Sequence, residues 1–153
     1  MPKLRRKTNA WPAILAATLL SATEIRAGDF PELVDAVRPM EEGVPQVSVL
    51  RLKTLLAGEL SPEARRDATA KLGEALLAAG RPEEALKVLQ DPTLANVPPT
   101  QFLRAQTFAA LNRWAEALPL YEQAATDSAS PFFSSAILGQ AEALRALGRT
   151  DDA

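Results

Sequence analysis

Three pairs of adjacent carboxylates stand in the sequence: Glu41-Glu42, Glu83-Glu84 and Asp151-Asp152. Two carboxyl groups facing each other across a cleft can hydrolyse a glycosidic bond, one as general acid and the other as base or nucleophile. The latter two pairs, however, fall where helices are expected to begin, and the positive end of the helix dipole already accounts for acids there. The remaining chemistry is narrow. The chain has neither His nor Cys, which removes the commonest general base, the commonest metal ligand, the thiolate nucleophile and the disulfide. Ser-His-Asp and Cys-His arrangements are therefore impossible. No phosphate loop, Gly-rich dinucleotide loop or metal-spaced acid cluster occurs. No catalytic residue, cofactor site or metal ligand is expected, and an enzyme is not expected in this stretch of chain.

The elements that would carry these residues can be read from the same places. The 153 residues are 47% hydrophobic, mostly Ala and Leu, and only 5% aromatic. Ala and Leu lose little freedom in a helix, whereas strands favour branched and aromatic side chains, so the fold class is all-α. Ser61-Pro62-Glu63 supplies an N-cap, a first-turn Pro and an acid, which together mark a helix start. Gly80 ends that helix, because Gly enters the left-handed region without a Cβ penalty. Pro82-Glu83-Glu84 opens a second helix, whose buried stripe is Ala85, Leu86, Val88 and Leu89. The segment is one helix end, a tight turn and one helix start, an antiparallel hairpin.

The hairpin recurs. Glu74–Ala85 reads EALLAAGRPEEA and Glu142–Ala153 reads EALRALGRTDDA; seven of the twelve residues are identical and two more exchange Glu for Asp. A third version, Gln106–Ala117, reads QTFAALNRWAEA. Gly73, Ala105 and Ala141 occupy a small-residue position where two helices approach closely. Leu76, Phe108 and Leu144 fill a large apolar position three residues on. Gly80, Asn112 and Gly148 supply the turn, each followed by Arg81, Arg113 or Arg149. Ala85, Ala117 and Ala153 take the small position of the second helix. The spacings are 32 and 36 residues, averaging 34.

A helix–turn–helix unit repeating near 34 residues, in this small–large–turn–small order, is similar to the tetratricopeptide repeat family. The resemblance covers about residues 61–153 and departs from the family at Thr69, where Trp is frequent, and in its uneven repeat lengths. It implies a right-handed α-solenoid of antiparallel helix–turn–helix repeats whose inner surface is lined by the first helix of each unit. It also implies a scaffold that binds a peptide or partner protein on that concave face. The groove positions carried over are Asp67, Ala70, Glu74 and Leu77 in the first unit, then Phe102, Gln106 and Ala109, then Leu138, Glu142 and Arg145. An exposed Phe102 beside Gln and Glu would suit a mixed apolar and basic peptide. Taken singly, each acid also fits solvated surface, and Phe102 and Leu138 also fit ordinary inter-helix packing.

Prolines agree with this punctuation. Pro92, Pro98-Pro99 and Pro131 fall between helices, while Pro119 lies inside one and is expected to kink it on the face away from the core. Upstream, Phe30–Val37 and Pro45–Ala57 are expected to be helical, separated by the turn-rich MEEGVP. Residues 28–60 form either an N-terminal helical cap or a degenerate first repeat. At the other end, Asp151-Asp152-Ala153 reads as the first turn of a second helix, leaving the last repeat of the array at 61–153 incomplete. That pattern is expected of a fragment of a longer repeat protein.

The first 27 residues differ from the rest. MPKLRRKTNA carries four basic residues and no acid, and Trp11–Ala22 is uncharged and mostly apolar. A basic start, a short apolar run and a small residue at its end form a signal peptide, with cleavage after Ala27 favoured over Ala22. The run is shorter than the roughly 20 residues of a membrane span; an uncleaved anchor is the alternative. Absence of Cys excludes lipid attachment there. The chain is thus expected to be exported, to a periplasm, a cell envelope or the medium. Residues 1–27 hold five basic and one acidic residue, leaving 12 basic and 18 acidic ones and a net charge near −6. Such a chain, without a basic cluster, suits neither nucleic acid nor an anionic membrane surface. Two functions fit: a non-enzymatic interaction scaffold, or a helical accessory region of a larger exported enzyme or envelope-assembly factor.

Overall fold

The computed structural model describes residues 31–95 and 97–148. The expected signal segment, Phe30, and the helix start at Asp151–Ala153 with Arg149 lie outside the described residues. Among the described residues the chain forms seven α-helices and no strand. They are α1 (Pro31–Glu41), α2 (Pro45–Ala57), α3 (Pro62–Ala78), α4 (Pro82–Leu89), α5 (Pro98–Ala110), α6 (Trp114–Ala124) and α7 (Phe133–Ala146). A single 3₁₀ turn, Pro92–Leu94, links α4 to α5. Helices α1 to α5 all begin on Pro, whose missing N–H would have had no helical partner at that position. Ser61 caps α3 as its sequence requires, its hydroxyl accepting from the Ala64 N–H at 3.1 Å.

The hairpin turns are near copies of one another. Gly80 (φ 71°), Asn112 (φ 58°) and Gly148 (φ 73°) occupy the left-handed region, and so does Gly43 (φ 83°) between α1 and α2. In three of them the next N–H closes the turn onto a carbonyl five residues back. Val44 donates to Pro39, Arg81 to Leu76 and Arg113 to Phe108, at 2.8–2.9 Å. This is the Schellman pattern, which satisfies helix-end carbonyls. The α1–α2 hairpin therefore turns as the later ones do. A Gly-X-Pro triplet, Gly43-Val44-Pro45 against Gly80-Arg81-Pro82, is its sequence trace.

Helix α1 runs further than expected. It passes beyond Val37 through Pro39 to Glu41, so only Glu42–Val44 remains of the anticipated turn-rich stretch. Helix α6 likewise continues through Pro119, whose ring lies exposed on the outer side.

Each helix packs on its neighbours in the chain, and α1 also meets α3, α3 meets α5, and α5 meets α7. Odd-numbered helices thus stand side by side in one layer and even-numbered helices form the other, which is an all-α solenoid. The core is correspondingly strung out. One cluster gathers α1–α4 around Leu52, Leu72, Leu76 and Ala85. Another gathers α5–α7 around Phe102, Ala105, Ala117 and Tyr121. Ala70, Leu89, Leu94 and Leu103 join the two.

Small residues decide how close helices come. A Cβ on Gly73 would overlap Leu89 of α4, so α3 and α4 pack at the position the repeat predicts. Helix α7 makes a further close contact at Gly139, where a Cβ would overlap the Tyr121 ring of α6. The helix expected against Ala141 lies outside the described residues.

Candidate functional site

A groove of about 720 Å³ opens on the odd-numbered layer, across α1, α3 and α5. Helix α3 provides one side through Asp67, Lys71, Glu74 and Ala78, with Ala70 and Leu77 beside them. These residues recur at three- and four-residue steps and so share a face. Helix α5 brings Phe102 and Gln106, α1 brings Leu33, and the segment before α7 brings Phe132. The volume is in the range of small-ligand sites, about 300–1,000 Å³. Its surface is mainly apolar, with a polar stripe along α3.

That stripe alternates in sign. Lys71 Nζ lies 2.8 Å from Glu74 Oε2, and Asp67 Oδ1 lies 3.6 Å from Arg66 Nε. Two acids and one ammonium therefore face the groove, leaving it with one net negative charge. The partly exposed pairs contribute little to stability, so these charges are free to serve recognition.

Six of the groove positions carried over from the sequence come together here: Asp67, Ala70, Glu74, Leu77, Phe102 and Gln106. Ala109 does not, nor do Leu138, Glu142 and Arg145, which stand exposed on α7, outside the cavity. Phe102 corrects an expectation. It is 7% exposed, with its ring stacked on Phe132 at 5.3 Å and set edge-on to Tyr121 at 6.1 Å. It forms part of the groove floor and of the α5–α7 core at once, because Phe132 folds back over it. Burial raises the Tyr121 hydroxyl above its ordinary pKa, and the nearby charge of Glu142 adds to that. Leu33, Lys71, Val97, Pro99 and Phe132 were not anticipated. Lys71 alone had a local signal, lying one step from Ala70 and Glu74 on the same helical face.

Residues 67–91 and, separately, 102–153 match the tetratricopeptide repeat family. The chain carries tetratricopeptide repeats. The first match takes in most of α3 and all of α4; the second takes in α5 from Phe102, then α6 and α7. No curated protein and no solved structure matches the chain. Tetratricopeptide repeats build protein–protein interaction scaffolds, and the family is generally non-enzymatic. Among the described residues no three acidic side chains converge as a metal-ligand set.

Proposed function

We propose that this tetratricopeptide repeat chain is an exported, non-enzymatic scaffold that holds a peptide segment of a partner protein in the α1–α3–α5 groove. The observation that carries the reading is the groove itself. Its apolar floor of Leu77, Phe102 and Phe132 runs beside the Asp67–Glu74 stripe on the layer built from the first helix of each hairpin. A segment pairing a bulky apolar side chain with a basic one complements it, the first displacing water from the floor and the second meeting the carboxylates. Support also comes from the α1–α2 hairpin. Its turn and its packing against α3 follow the later units, so Leu33 extends the inner surface as part of a degenerate first repeat.

Charge reversal tests the site. Glu74→Lys places a second ammonium beside Lys71 and is expected to weaken capture of a partner roughly tenfold or more, about 1.4 kcal/mol, with the far-UV circular dichroism unchanged. Glu142→Lys, outside the cavity, is the control and should leave capture as it is. Equal capture by both variants in a quantitative pull-down would remove the groove assignment. Export rests on the basic start and apolar run of residues 1–22; a mature chain beginning at Gly28 supports it, and retention of Met1 argues against it.

A further inference from the structure

The polar wall of the groove has a fixed spacing. Asp67, Lys71 and Glu74 share one face of α3 in the order acid, ammonium, acid. Seven residues separate the two acids, which at 1.5 Å per residue sets them about 10.5 Å apart along the helix axis. Lys71 pairs with Glu74 at 2.8 Å, and Arg66 holds Asp67 more loosely at 3.6 Å. These side chains keep 26–44% of their surface exposed, so a cation from outside can replace either internal partner. Beside the wall lie Leu77, Phe102 and Phe132, the two rings stacked 5.3 Å apart.

A ligand that satisfies both acids carries two cations about 10 Å apart on one side, and backbone geometry limits how a peptide can do so. Residues on one face of a β-strand lie about 6.7 Å apart, or about 13 Å at the next step, and neither matches. In a polyproline II helix residues i and i+3 share a face about 9.3 Å apart, within reach of flexible Lys or Arg side chains. An α-helix needs residues seven apart. Two turns of it, about 10 Å across, fill on the order of 800 Å³, more than the groove's volume of about 720 Å³. We propose that the occupant of the groove is a proline-rich segment of a partner protein in polyproline II conformation, with Lys or Arg at i and i+3 seated on Asp67 and Glu74. This rests on the groove as the binding site proposed above and names what it takes. A residue between the two basic ones, on another of the three faces, packs on Leu77, Phe102 and Phe132, as prolines do in aromatic-lined grooves. Such a segment is already extended before it binds and loses little conformational entropy on docking.

The probes are dye-labelled eight-residue peptides of proline with one leucine and two lysines, titrated into the full chain and followed by fluorescence anisotropy. Lysines at the third and sixth positions are expected to give saturable binding. Moving them to the third and fifth positions, with composition unchanged, should weaken it at least tenfold. Asp67→Asn and Glu74→Gln should each weaken binding of the first peptide about tenfold. Absence of saturable binding by the first peptide overturns the proposal. So does equal affinity for the two spacings, or equally tight binding of an α-helical peptide with lysines seven apart. In each of these cases loss of partner capture by the Glu74→Lys chain would still uphold the groove as the site. Binding of the first peptide that survives both Asp67→Asn and Glu74→Gln unchanged seats it elsewhere and equally overturns the proposal.

Discussion

Pro39 removes an N–H from the interior of α1, which leaves the Asp35 carbonyl without its helical donor. Helix α2 repairs the gap. Arg51 Nη1 donates to the Asp35 carbonyl at 2.8 Å. The Met40 N–H donates to Ser48 Oγ at 2.8 Å, and that hydroxyl donates in turn to the Val37 carbonyl at 3.1 Å. Ser48 is fully buried, so water cannot substitute for it. Ser48→Ala is therefore expected to lower unfolding free energy by about 1–3 kcal/mol, the cost of leaving buried polar groups unpaired. Urea titration measures this; a loss below about 0.5 kcal/mol would mean that the Pro39 stretch of α1 is held by its apolar contacts alone. A residue that reads as a weak helix former thus supports an element through a partner eight positions away.

The turns at Gly80 and Asn112 are each also fastened by a charge pair at the element scale. Arg81 Nε donates to Glu84 Oε1 at 2.7 Å, and Arg113 donates to both oxygens of Glu116 while its guanidinium lies over the Phe108 ring at 4.7 Å. The hydrogen bond from Arg81 is the main cause holding the Glu84 carboxyl below its ordinary pKa, and that from Arg113 does the same for Glu116. Both groups release their protons at lower pH folded than unfolded. Their contribution is fully present above the ordinary glutamate pKa, about 4.3. It is lost as pH falls through the lowered values. Melting temperature should accordingly fall as pH drops from about 4.3, and a Glu84→Gln/Glu116→Gln double variant should show a shallower acid limb. An acid limb equally steep in the variant would assign it to other carboxylates. The pairs are exposed, so added salt should also flatten the limb.

At the scale of the whole molecule, the core among the described residues has no single centre. Contacts pass from each helix to the next and along the odd-numbered layer, so stability is close to a sum of unit and interface contributions. Among the described residues, α3 and α5 each have a neighbour on both sides within the odd-numbered layer. Native-state amide exchange should consequently be slowest in α3 and α5, around Leu76 and Ala105. Uniform protection across the array would instead indicate one cooperative core. The gradient matters for recognition, because the groove draws its walls from α3 and α5 and so rests on the most protected part of the chain.

Much of this architecture was legible in one dimension because it depends on short-range chemistry. A left-handed turn admits Gly or Asn, a helix start admits Pro, and two helices in contact admit a small residue, so Gly80, Asn112, Pro82 and Gly73 announced the hairpins and their period. The first hairpin was harder to see because its apolar residues do not keep the spacing of the later units, although Gly43 and Pro45 mark its turn. Burial was not legible. Ala70 and Phe102 share a repeat position, yet one is buried against Leu103 and the other under Phe132, since burial depends on what a later segment lays over each. The groove belongs to the same category. Leu33, Glu74, Gln106 and Phe132 are far apart in the chain and meet only because α1, α3 and α5 stand side by side. Local conformational preference therefore specified the units, and contact between units, which no single segment encodes, decided where the surface became a site.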